Sequence, residues 1–189
     1  MGRIRFGIKN TYYAPVTADE GGKLTYGTPV QLLGAKSISL DASGDDVTEY
    51  ADDSVWFKTT TNSGYTGTIE FEDTADVDAF LTKVLGWTKN EDGSITEKST
   101  DTPIEFALMT QFSLAGEAEG AQGKRVKFYR CTASRPSIAG STKESSISVQ
   151  TNSISLTCLP RLNDDLVKTT CVSTDAAYES WFEAVEATA

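Results

Sequence analysis

Histidine is absent from this chain of 189 residues, and cysteine occurs only three times. Without histidine the commonest general base and the commonest nitrogen ligand for metals are missing, which excludes any Ser-His-Asp or Cys-His site built from this chain. Cys131, Cys158 and Cys171 stand far apart, so the paired spacing of a zinc site is absent. Each lies in an apolar or β-branched run, which predicts buried free thiols in a protein made in a reducing cytoplasm. Positive charge is also scarce. Seventeen Lys plus Arg face 27 Asp plus Glu, a formal net charge of −10. That balance argues against a protein that grips nucleic acid through its phosphates.

Other absences narrow the field further. No run approaches the roughly 18 apolar residues of a membrane span. Met1-Gly-Arg-Ile-Arg-Phe6 leads into no signal-peptide apolar run, and Phe6 stands where a myristoylation motif needs Ser or Thr. Phosphate-loop, dinucleotide, nucleophile-elbow and EF-hand patterns are missing, and the acid pairs Asp45/Asp46 and Asp52/Asp53 lack EF-hand spacing. The expectation is a single domain that is not an enzyme and has no cofactor, catalytic or metal residues.

What charge there is lies unevenly. Residues 1–40 carry +3, residues 41–105 carry −12, and residues 106–189 carry −1. A basic N-terminal segment and an acidic middle in one chain suit either a solvated surface or head-to-tail association of copies.

Residues 1–30 show no sustained period yet hold Phe6, Tyr12, Tyr13 and Tyr26. That is too apolar for a plain linker and predicts an arm ordered against a neighbour, with Ile4, Phe6, Ile8, Tyr12 and Tyr13 as contacts. Alternation predicts strands at 36–41, with Ile38 and Leu40 inward, and at 66–72, with Ile69 and Phe71 inward. Between them, 42–65 reads as an extended acidic loop. Val77, Phe80, Leu81, Val84 and Leu85 recur at helical spacing over 73–85, and Gly86 suits a helix stop. Asn90 to Gly93 reads as a hairpin turn. Strands follow at 104–114 and 126–135, separated by a flexible acidic loop at 115–123. In the run 147–159 the inward parity flips, which predicts a bulge across Gln150–Ser153. A strand at 166–173 and a terminal helix at 175–185, with Tyr178, Trp181, Phe182 and Val185 on one face, complete the chain. Arg125, Lys127 and Arg130 read as a small solvated or interfacial face. The fold class is mainly β: an antiparallel sandwich or open barrel with two short helices.

Two segments carry a family likeness. Gly7-Ile-Lys-Asn-Thr-Tyr-Tyr-Ala-Pro-Val16 with Gly22-Lys-Leu-Thr-Tyr-Gly-Thr-Pro-Val30, and Cys131-Thr-Ala-Ser-Arg-Pro-Ser137 with Gly140, resemble the major tail proteins of long-tailed, non-contractile bacteriophages of the phi13 type. Ser39-Leu-Asp41, Tyr50-Ala-Asp-Asp53 and Asn62-Ser-Gly-Tyr-Thr-Gly67 extend the likeness through most of the chain. The resemblance implies the phage tail-tube fold and hexameric rings stacked into a hollow tube. Its partners would be further copies, a tape measure protein in the lumen, tail terminator and distal tail proteins, and DNA in transit, with no membrane. Its location would be the virion, after assembly in the host cytoplasm. Many relatives carry an extra C-terminal immunoglobulin-like domain, for which this chain is too short.

Within that reading the loop at 42–65 should contact another subunit through Tyr50, Trp56 and Phe57 beside Asp45, Asp46, Asp52 and Asp53. Some of Asp41, Glu70, Glu72 and Glu105 should face the lumen. A ring of six chains would carry −60, six times −10, and so repel DNA. A capsid decoration protein or a carbohydrate-binding sandwich is the competing reading.

Overall fold

The computed structural model describes residues 4–115, 123–138, 140, 142 and 151–186. In chain order the first elements are β1 (Ile4–Glu20), β2 (Lys23–Tyr26), β3 (Val30–Gln31), β4 (Ala35–Ser43), β5 (Asp46–Ala51), β6 (Ser54–Thr60) and β7 (Gly64–Phe71). The helix α1 (Ala75–Val84) and the short strands β8 (Thr88–Lys89) and β9 (Ile95–Thr96) follow. The chain then forms β10 (Phe106–Ala115), β11 (Gly123–Ala133), β12 (Asn152–Leu159) and β13 (Lys168–Val172), and ends in a 3₁₀ turn at Ala176–Tyr178. Every ladder among these strands is antiparallel.

The main sheet runs β2-β1-β10-β11-β12-β7-β4, with β13 also on β11 and β3 also on β1. It becomes a sandwich because it forks at β11. Lys124–Phe128 pair with β13, whereas Arg130–Ala133 pair with β12. A register shift against β10 accompanies the fork. On the near side of it Val126 and Phe128 enter the core; beyond it Cys131 and Ala133 do. The inward parity therefore changes from even to odd at one bulge, and the strand bends there. One layer is then β4, β7 and β12; the other is β1, β10, β11 and β13.

Helix α1 packs between the layers at one end. Thr74 caps it by accepting a hydrogen bond from the Val77 N–H, and Gly86, at φ +79°, follows the C-cap Leu85. Val77, Phe80, Leu81, Val84 and Leu85 are all buried. Burying five such side chains contributes roughly 10 kcal/mol gross, more than any propensity term in so short a helix. Phe80 meets Tyr13 and Phe106 edge-on at 5.0 and 5.3 Å. A second, smaller core of Ala14, Ala107, Met109, Tyr129 and Val185 lies on the opposite face of the β1/β10/β11 layer. Both faces of β10 are thus covered, so Phe106 through Gln111 are buried without alternation.

Four sequence expectations change here. The N-terminal arm is the long strand β1, paired with β10 from Ile4 to Pro15. Its period is hidden because the ladder shifts register between Phe6 and Ile8 and again between Lys9 and Tyr12, where Asn10 takes φ +51°. Tyr13 is fully buried and Tyr12 is half-buried, so Tyr13 is a core residue and not an arm contact. The loop at 42–65 is mostly a hairpin, β5–β6. The terminal helix at 175–185 is a 3₁₀ turn followed by irregular chain, which leaves α1 as the one α-helix among the described residues. Asp175 does not cap it with its side chain; its carboxylate instead accepts from the Val172 N–H at 2.8 Å. The described half of the run 147–159 keeps Ile154, Leu156 and Cys158 inward. Ile147, Val149 and Gln150 lie outside the described residues; of the bulge expected across Gln150–Ser153, Asn152 and Ser153 are described and pair with Phe71 and Glu70 without a register shift. Residues 116–122 of the acidic loop at 115–123 also lie outside them.

Candidate functional site: an exposed aromatic hairpin

β4 and β7 continue beyond the sandwich as one long hairpin. The ladder runs from Ala35↔Phe71 to Ser43↔Gly64, crosses a joint, and resumes at Asp46↔Thr60. At the joint the Ser63 N–H donates to the Ser43 carbonyl and the Thr61 N–H donates to the Asp45 carbonyl, at 2.8 and 2.9 Å. Gly44 is required there, because a Cβ at that position would sit inside the Thr61 carbonyl oxygen. The distal part closes on a two-residue turn in which Asp52 and Asp53 both take positive φ, +50° and +58°. This is a primed turn, the type whose twist matches paired strands, and Asp tolerates the left-handed region better than most residues.

No residue of β5 or β6 is buried. The tip nevertheless carries large apolar side chains: Tyr50 is 71% exposed, Trp56 75%, Val55 56% and Phe57 52%. The ladder shifts between Glu49↔Phe57 and Tyr50↔Val55, so Trp56 is the extra, unpaired residue of a bulge. Around these rings stand Asp45, Asp46, Glu49, Asp52 and Asp53, against Lys58 alone. Asp46 accepts from Thr60 at 2.6 Å and faces Lys58 at 3.3 Å, and the Thr60 hydroxyl, then Lys58, hold its carboxyl below the usual range. Contiguous exposed aromatics on an unpacked, open-edged hairpin are the feature a monomeric protein avoids and an interface uses.

The other sequence candidates scatter. Ile4 and Phe6 are exposed on β1, and Ile8 pairs with Phe112. Tyr12 stacks on Phe182 at 4.5 Å. Asp41 and Glu70 lie on the outer face of the β4/β7/β12 layer, where Glu70 accepts from Ser37 at 2.9 Å. Glu72 pairs with Lys36 at 3.7 Å. Glu105 is held by both its oxygens at 2.9 Å from Arg130 Nε, so its charge is spent on β11. The cysteines are free and buried, with the Cys131 and Cys158 sulfurs 2.9 Å apart across the β11/β12 ladder.

Two constellations were missed in the sequence. Arg125 and Lys127 are not a solvated face, because the C-terminal segment lies over them. Arg125 stacks under Tyr178 and Phe182, 3.6 and 4.6 Å from the ring centroids, and donates to the Tyr178 carbonyl. Arg161, also buried, pairs with Asp164 and Glu186. The i, i+2 spacing of Arg125, Lys127 and Tyr129 on one strand face, matched to the Tyr178/Trp181/Phe182 spacing, is the signal that was available. The second constellation is a cavity of about 160 Å³ at the mouth of the sandwich, opposite α1, bounded by β4 on one side and β10, β11 and β13 on the other. Its walls come from segments too far apart in sequence to announce it. The chain matches no protein-family model and no curated protein.

Proposed function

We propose that this chain is a structural subunit that self-assembles into stacked rings forming a hollow tube, the major tail tube protein of a long-tailed, non-contractile bacteriophage. The observation that carries the reading is the hairpin. Its aromatic tip is uncovered by the described residues of its own chain, and an apolar, open-edged element of this kind is stable against aggregation only when a defined partner covers it. A second copy is the partner that a repeating assembly supplies. The likeness of the Gly7–Val16 and Cys131–Gly140 segments to phage tail proteins gives the assembly its identity.

The outer face of β4, β7 and β12 supports a tube lumen. Its paired positions are Ser37, Ser39 and Asp41, then Thr66, Thr68 and Glu70, then Ser153, Ser155 and Thr157. These carry hydroxyls, two carboxylates and no Lys or Arg. Such a wall hydrates well, repels phosphates and offers DNA nothing to grip. Of the four acidic lumen candidates, Asp41 and Glu70 fit this face. Glu72 and Glu105 are paired with cations and fit it less well. In this reading the tape measure protein fills the lumen before DNA does, and tail terminator and distal tail proteins close the two ends.

Negative-stain electron microscopy of the concentrated protein, and of lysates from cells making it, tests the reading. Tubes of uniform diameter are expected. A chain that stays monomeric at millimolar concentration, with no tubes in lysate, overturns it.

A further inference from the structure

We infer that the aromatic tip of the hairpin docks in the cation-rimmed cavity between β4 and the β10/β11/β13 layer of a neighbouring copy, with Trp56 as the anchor. The inference rests on the self-assembly reading and names the surface that receives the hairpin. The cavity floor is apolar, formed with Ile38, Leu40 and Phe112. Its rim holds Arg5, Lys124 and Lys168, and among the described residues none that lines it is acidic. In a chain of net charge −10, three cations around one apolar opening, with no carboxylate among the described lining residues, are a marked local reversal. Two of them sit on aromatic rings that line it: Arg5 is 4.8 Å from the Phe112 centroid, and Lys168 is 4.2 Å from that of Tyr65, whose hydroxyl it also contacts.

The hairpin tip is the complement. It presents an indole at a bulge, 75% exposed, beside the carboxylates of Glu49, Asp52 and Asp53. A cavity of about 160 Å³ is of the order of one aromatic side chain. The tip cannot fill its own cavity. Leu40 and Tyr65 line the cavity at the hairpin's root, and the nine steps from Ser43 to Asp52 carry the tip about 30 Å further at ~3.3 Å per residue. Tip and cavity are different surfaces of one chain, so the contact is heterologous and repeats from copy to copy, as a ring or a filament requires.

Engineered cysteines test this directly, because the three native thiols are buried. Val55→Cys marks the tip and leaves Trp56 intact; Thr170→Cys marks the cavity wall. Equal amounts of the two variants, mixed at assembly concentration under mild oxidation, should give a 55–170 disulfide between chains, identified by mass spectrometry. Lys124→Glu with Lys168→Glu should weaken self-association tenfold or more, and adding Asp52→Lys with Asp53→Lys to the same chain should restore it. Circular dichroism verifies that each variant is folded. Tubes in the micrographs without the 55–170 link overturn this inference and leave the tube reading standing. Neither tubes nor link overturns both, and a link without tubes upholds the docking while removing the tube. A 55–55 link alone, or a Thr170→Cys thiol that stays reactive in assembled material, also overturns the docking, because another partner or none then occupies the cavity.

Discussion

Lys127 lies under the indole of Trp181, with its ammonium nitrogen 4.7 Å from the ring centroid, and donates to the carbonyls of Ala184 and Val185. It is a buried cation with no carboxylate in contact among the described residues. Burial pushes its pKa down to about 8, against the opposing pull of Cys171 and Glu186. The unfolded chain binds this proton up to pH ~10.4, the folded chain only to about 8. The contribution of Lys127 to stability should therefore rise with pH between about 8 and 10, because the unfolded state keeps this proton there. Tyr13 and Tyr26, both raised to about 12 by burial, act in the opposite direction above pH ~10, where the unfolded tyrosines ionise first. The Cys131 and Cys171 thiols, raised by burial, also oppose Lys127, from pH ~8.5 upward. Between pH 8 and 10, urea midpoints of Lys127→Met should therefore fall more steeply than those of the unaltered protein. Parallel profiles would show that Lys127 does not titrate in this range.

Gly44 controls the hairpin's direction. Gly44→Ala forces the Thr61 carbonyl away and breaks the joint between Ser43 and Asp46. The sandwich, whose core does not involve this residue, should keep its stability to within about 1 kcal/mol. Self-association should be lost, as sedimentation velocity would record. A variant that assembles normally would show that the hairpin's aim does not matter.

The turn itself is improvable. Asp52 and Asp53 hold positive φ at a cost that glycine avoids. Asp53→Gly should stabilise the hairpin by up to about 1 kcal/mol, and slower amide exchange along β5 and β6 would report it.

The N-terminal strand divides into two parts. Deleting residues 1–6 removes exposed Ile4 and Phe6 and the rim residue Arg5, and should leave a folded domain with weakened association. Deleting residues 1–13 also removes Thr11 and Tyr13, both buried, and should prevent folding, since truncating one large aromatic core side chain alone costs about 3–5 kcal/mol. Thermal melts of the two truncations should therefore differ sharply.

The thiols offer a further check. Burial, and then the neighbouring Cys158, push the Cys131 thiol well up, and burial raises Cys171. A thiol reagent such as DTNB should label none of the three cysteines quickly at pH 8 and all three in denaturant. Fast native labelling would mean that the β11/β12 seam opens.

Much of the fold was legible because its signals are local. The helix followed from the spacing of Val77, Phe80, Leu81 and Val84 with Thr74 before it and Gly86 after it, and β4 and β7 followed from the alternation of Ile38, Leu40, Ile69 and Phe71. Each of these patterns records a single buried face, which sequence spacing alone describes. Where two faces are buried, or a ladder slips, the pattern disappears. β1 looked irregular because register shifts break its period, and β10 loses alternation because cores cover both its sides. The segment after Asp175 has helical spacing but not helical structure, since Arg125 and Lys127 draw its rings and carbonyls down individually and Arg161 holds the Glu186 carboxylate. Sequence singled out Tyr50, Trp56 and Phe57 as aromatics crowded by carboxylates, and the structure leaves all three exposed. Only the tertiary structure decided that they stand on a projecting hairpin, and that Arg5, Lys124 and Lys168 gather around one apolar cavity. Contacts between residues more than a hundred positions apart leave no periodic trace, because they are set by how the layers fold over each other at the β11 fork.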